Sequence, residues 1–202
     1  MDKKHMNEQA NLAMEFIEKL YFEISYLIKE IEGLLKREDE EFVIGRPRGY
    51  AITAGSSTGL DYPDWWWYKK FSVFFVPKDK TKTLGLGGKT KTSFLKDLKI
   101  IYFIVILSDK NISSPKVAIG TLYNINCKSV EHYKKFEDAT VYYLNSICDL
   151  AMNYPNFSEG AYEDKHMKFN GKFMIKDLFD INNTKDIQKK LLDQVLKHYR
   201  SI

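Results

Sequence analysis

Apolar residues fall on two periods along this chain, and the change between them separates helices from strands. Between Asn7 and Arg37, the residues Ala13, Ile17, Leu20, Ile24, Leu27, Ile31 and Leu34 recur four and three apart. Met14, Tyr21, Ile28 and Leu35 widen that stripe. The spacing predicts one long helix that lies on a core or pairs with a second helix along a heptad seam. Over residues 61–77 the chain reads DYPDWWWYKKFSVFFVP, aromatic and β-branched, with prolines where a strand tolerates them, at its ends. We read it as the central strand. Residues 100–107 and 116–126 follow as two more strands. Short strands at 41–45 and 50–54 flank Arg46-Pro47-Arg48-Gly49, read as a hairpin turn exposing Arg46 and Arg48.

The helical period returns after Ser129, a candidate cap, with Phe136, Thr140, Tyr143, Leu144, Ile147 and Leu150 on one stripe ending near Asn153. Residues 162–169 and 172–177 flank Asn170-Gly171, a strong hairpin signal. A last helix from Asn183 or Thr184 points Ile187, Leu191, Leu192, Val195, Leu196 and Tyr199 inward. This order predicts a single α+β domain with an antiparallel sheet of about five strands. One face of the sheet is expected to be covered by the long N-terminal helix and two C-terminal helices, with a β-hairpin added. Residues 1–38 supply the long helix, 41–127 the sheet, and 129–202 the later helices and the hairpin.

At 44% apolar and 29% charged residues, composition is ordinary for a globular chain. The longest apolar run, residues 100–107, is far short of the roughly 20 residues of a membrane helix. The start, MDKKHMNEQ, lacks the apolar region of a signal peptide, so a cytoplasmic protein without membrane contact is expected. Cys127 and Cys148 have no partner spacing and are read as reduced, buried residues. The four histidines sit on four different elements, and no metal or cofactor is expected. Asp164 and His166 are read as a surface pair on one strand face. The net charge of +4 is uneven: residues 1–41 carry 6 basic and 11 acidic side chains, and the remainder 25 and 16. The basic part could steer an anionic partner.

Four short stretches resemble known motifs. Gly45-Arg46-Pro47-Arg48 resembles the core of an AT-hook, but Ile44 stands where that motif has a basic residue. Gly55-Ser56-Ser57-Thr58-Gly59 resembles the nucleophile elbow of α/β-hydrolases, yet a strand rather than the required helix follows it. Gly88-Lys89-Thr90 resembles the end of a P-loop, whose first glycine would fall on Thr83. Pro63-Asp64 together with Asp97-Leu98-Lys99 resembles the PD-(D/E)XK nuclease signature, which implies a metal held by Asp64 (or Asp61) and Asp97, with Lys99 beside the attacking water. On antiparallel neighbours the two aspartates start opposite strand ends, about 40 Å apart at roughly 3.3 Å per residue.

The expected function is therefore a non-catalytic cytoplasmic binding or assembly protein. Its contacts would be the aromatic sheet region at Trp65 and Trp67, the basic loop carrying Lys78, Lys80, Lys82, Lys89 and Lys91, and the exposed Arg46 and Arg48. Partners would be a protein, a second copy through the N-terminal helix, or a nucleic acid held weakly by charge. The alternative is a metal-dependent nuclease or other phosphodiester enzyme using Asp64, Asp97 and Lys99. The sequence does not decide whether the chain is an enzyme.

Overall fold

The computed structural model describes residues 2–44, 51–52, 70–80, 98–127 and 143–202. Helix α1 (Lys3–Leu35) opens the chain. Strands β1 (Phe42–Ile44), β2 (Ala51–Ile52), β3 (Lys70–Pro77), β4 (Ile100–Ile106) and β5 (Lys116–Cys127) follow. After them come α2 (Leu144–Asn153), β6 (Glu159–Glu163) and β7 (Met167–Asp177). The C-terminal helix starts as α3 (Thr184–Asp186), widens into a π-helical stretch (Ile187–Leu192) and ends as α4 (Asp193–Ser201). The architecture is the expected α+β fold.

All described strand pairs are antiparallel, in the order β1-β3-β4-β5-β7-β6, with β2 also on β3. The sheet is wider than the five strands expected, because β6 and β7 join it rather than standing apart as a hairpin. Central β4 reads IIYFIVI and is buried at all seven positions. Its apolar run is continuous because both its faces are covered. Ile100, Tyr102, Ile104 and Ile106 pack with Leu144, Ile147, Cys148 and Ala151 of α2. Ile101, Phe103 and Val105 pack with Ile24, Ile28, Ile31 and Leu35 of α1 and with Leu191, Leu192 and Val195 of the C-terminal helix. Alternate strand residues face opposite ways, so helices cover both sides of the sheet. This corrects the expectation of a one-sided cover, since α2 takes the far face.

Two hairpin assignments are also corrected. β1 and β2 do not pair with each other; both lie along β3, with Ile44 opposite Phe75 and Ala51 opposite Ser72. Both lie on the side of β3 away from β4. Asn170-Gly171 is not a turn but the middle of β7, opposite Tyr123 and Leu122. The turn lies earlier, at Asp164, whose carboxylate accepts from the amides of His166 (2.8 Å) and Met167 (2.7 Å). An aspartate side chain that accepts backbone amides two and three residues on closes a turn locally. Gly171 serves packing instead: a Cβ there would come within 2.9 Å of the Phe173 ring and 3.0 Å of Leu122 and Leu150.

The C-terminal helix is as expected. Asn183 caps it by accepting from the Asp186 amide (3.1 Å), and all six residues assigned inward are buried. In the second helix, Tyr143, Leu144, Ile147 and Leu150 are buried; Ser129, Phe136 and Thr140 lie outside the described residues.

Candidate docking face on the N-terminal helix

Asp2 caps α1 by accepting from the Lys4 amide, and 33 helical residues span about 50 Å at 1.5 Å each. Only the C-terminal half reaches the core: Ile24, Ile28, Ile31 and Leu35 are buried, while Ile17, Leu20, Tyr21, Leu27 and Leu34 are half-buried. Ile24, Ile28, Ile31 and Leu35 thus dock on the chain's own sheet and Leu20, Tyr21, Leu27 and Leu34 pack at its margin, whereas Ile17 lies outside that core. The stripe continues towards the N-terminus through Ala13 and Met6, but there it is exposed.

Six large apolar side chains on α1 face solvent: Met6, Leu12, Met14, Phe16, Phe22 and Tyr26, each 50–64% exposed. Scattered apolar residues are normal on a surface, and six large ones on a single helix make α1 the candidate docking element among those described. Beside the docked half lies an open groove of about 520 Å³. One wall is Leu20, Ile24, Tyr26 and Leu27 of α1, and the other is Leu178, Phe179, Ile181 and Ile187. Thr184 ties the walls by donating to Glu30 (2.9 Å), and the Lys29 ammonium leans over the Tyr26 ring at 5.6 Å. The far wall is held by Lys190, which donates to the Asp180 carbonyl (2.7 Å). Phe179 stays half exposed over the groove.

Of the site residues read from the sequence, Lys78, Lys80 and Lys99 are described, and none of these three lines the groove. The Lys99 ammonium donates to the backbone carbonyls of Tyr199 and Ile202 and lies 4.5 Å from the Tyr199 ring centre. It caps the C-terminal helix, as a cation at that end should. Burial draws it below the usual lysine range, against the pull of Glu40. Lys78 pairs with Glu41 (2.9 Å), and Lys80 lies 3.9 Å from Asp79. Arg46, Arg48, Asp61, Asp64, Trp65, Trp67, Lys82, Lys89, Lys91 and Asp97 lie outside the described residues. The motif-like stretches at 55–59 and 88–90 lie there too.

Elsewhere, reactive side chains are committed to the fold. Burial pushes the Cys148 thiol up to about 12, though Lys70 pulls the other way. Lys70 itself pairs with Asp109 (3.0 Å) and donates to Asn145 (3.2 Å), joining β3 to α2 and to the loop after β4. Burial alone would raise the Asp164 carboxyl. The Met167 and His166 amides and the Tyr143 and Tyr162 hydroxyls outweigh it and hold the group down at about 2. Asp164 and His166 do not share a strand face as expected: both lie in the turn between β6 and β7, where the Asp164 carboxylate accepts from the His166 backbone amide. Among the described residues, no three His, Cys, Asp or Glu side chains are placed to share a metal ion. No helix among them is long and apolar enough to cross a membrane.

Sequence reading missed Leu12, Phe16, Phe22, Tyr26 and Phe179. The signal was present: these apolar residues on α1 lie outside its heptad stripe, where a helix docked on one sheet would carry polar ones. Comparison of the chain with protein-family models, with curated proteins and with solved structures gave no match.

Proposed function

We propose that this chain is a non-catalytic binding or assembly protein whose main contact surface is α1 and the groove beside it. One observation carries the reading: half of α1 extends past its own core with large apolar side chains exposed. Exposing that surface opposes solubility, so its use is as an interface. The aromatic region at Trp65 and Trp67, Arg46 and Arg48, and the lysines Lys78, Lys80, Lys82, Lys89 and Lys91 form a proposed secondary contact for an anionic partner. Lys78 already faces Glu41, so the contribution of the loop is weak and sensitive to salt. A cytoplasmic location goes with this proposal. The phosphodiester-enzyme alternative gains no support from Lys99, whose ammonium is spent on helix carbonyls.

The test is affinity capture from lysate of the source cells with the wild-type chain and with Leu12→Glu and Phe16→Glu variants. Proteins, including untagged copies of the chain itself, should be retained by the wild type and lost from both variants. Identical retention by all three would overturn the reading.

A further inference from the structure

We infer that the occupant of the groove is a second copy of this chain, its α1 lying antiparallel to the first. The inference rests on the binding-face reading above and names the partner. Leu12, Phe16, Leu20, Glu23, Leu27 and Glu30 recur at intervals of four and three, so they stand in line along one flank of α1. The C-terminal part of that line, from Leu20 to Glu30, is one wall of the groove. The N-terminal part is an exposed ridge, with Leu12 and Phe16 each 59% exposed.

Ridge and groove therefore share one face of one helix, side by side along its axis. A two-fold axis passing beside α1, level with Glu18 and Lys19, lays the ridge of each copy onto the groove of the other. That is an isologous interface, self-complementary and closed. About this axis Phe16 of one copy comes level with Tyr21 of the other and Leu12 with Ser25, both within the stretch of α1 from Leu20 to Glu30 that walls the groove. In this register Glu8 of one copy comes alongside Lys29 of the other, whose ammonium already sits at the groove's edge.

The first turn of α1 fits the same arrangement. It holds no acidic residue but has Lys3, Lys4 and His5, which oppose the dipole of their own helix. Antiparallel pairing carries these cations to the C-terminal half of the other α1, near Glu30, where both the charge and the dipole are favourable. The exposed apolar surface of Leu12 and Phe16 together with the groove lining is smaller than the roughly 800 Å² per partner of a standard interface, so the pair belongs to the weak class whose assembly depends on concentration.

The deciding experiment is sedimentation velocity of the full chain from low to high micromolar concentration, with Leu12→Glu and Phe16→Glu variants alongside. Both positions are exposed within the chain, so the variants keep the fold, which circular dichroism checks. The wild type should sediment as a dimer, and each variant should dissociate with a constant roughly tenfold or more higher. Orientation is read by oxidative cross-linking in a Cys127→Ser background: Lys19→Cys, next to the axis, should link to itself and Lys4→Cys should not. A monomeric wild type, a dimer untouched by both variants, or self-linking at Lys4→Cys overturns the inference. If the wild type is monomeric yet Phe16→Glu loses a captured protein, only self-pairing falls. If capture is also unchanged, the binding-face reading falls with it.

Discussion

Asp164 does with one side chain what the sequence assigned to an Asn-Gly pair six residues later. Its carboxylate takes two backbone amides and the hydroxyls of Tyr143 (2.9 Å) and Tyr162 (3.2 Å), so it closes the β6–β7 turn and pins it to the start of α2. Its acidity is held at about 2, below the roughly 3.9 of a free aspartate. Because the folded value is the lower one, the stabilisation is complete above about pH 5 and is lost as pH falls from about 4 towards 2. Replacing Asp164 by Ala should cost about 1–3 kcal/mol at neutral pH. In urea titrations the gap between wild type and variant should close as the pH drops to about 3; a constant gap would refute this account. A one-dimensional reading ranked Asn-Gly above Asp-Lys-His because only the former has a turn preference independent of its neighbours. The need for Gly171 comes from the Phe173 ring and two leucines, which meet it only once the sheet exists. Gly120 is tighter still: a Cβ there would stand 2.1 Å from the Lys172 carbonyl oxygen.

At the scale of elements, periodicity located α1, the strands β4 and β5, and the inward face of the C-terminal helix. It could not say which half of α1 would find a sheet. Ile17 and Ile31 occupy equivalent heptad positions, yet Ile31 is buried and Ile17 is not. The difference is set by where β3, β4 and the C-terminal helix end. Stability should follow the same division. Ile31→Ala, inside the core, should cost about 2–5 kcal/mol. Leu12→Ala should change the unfolding free energy by no more than about 0.5 kcal/mol at concentrations where the chain is monomeric. Urea midpoints of the two variants check this, and equal losses would mean that the overhang packs on its own chain. The acidic run after α1, Glu38 to Glu41, has partners within the fold. Glu38 and Glu40 hold Arg200 (2.7 and 3.2 Å), and Glu41 holds Lys78. Part of the charge asymmetry along the chain is thus neutralised within the fold.

For the whole molecule, the two faces of the sheet make two cores, and Cys148 reports on the one under α2. Its thiol is buried, and burial pushes it up to about 12, so little thiolate exists near neutral pH and reagent cannot reach it. In a Cys127→Ser background, labelling of Cys148 should proceed at the rate of global unfolding and speed up with urea in step with it. Fast labelling without denaturant would show that α2 opens on its own. The way the sheet ends has a consequence of a different kind. Among the described residues, one margin carries the short strands β1 and β2, of three and two residues, and the other, β6, is five residues with glutamate at both ends. Short or charged margins give a foreign strand little template to extend. Strand addition, the route to fibrils, finds little to extend along these described margins, so crowding this protein should yield discrete particles rather than filaments.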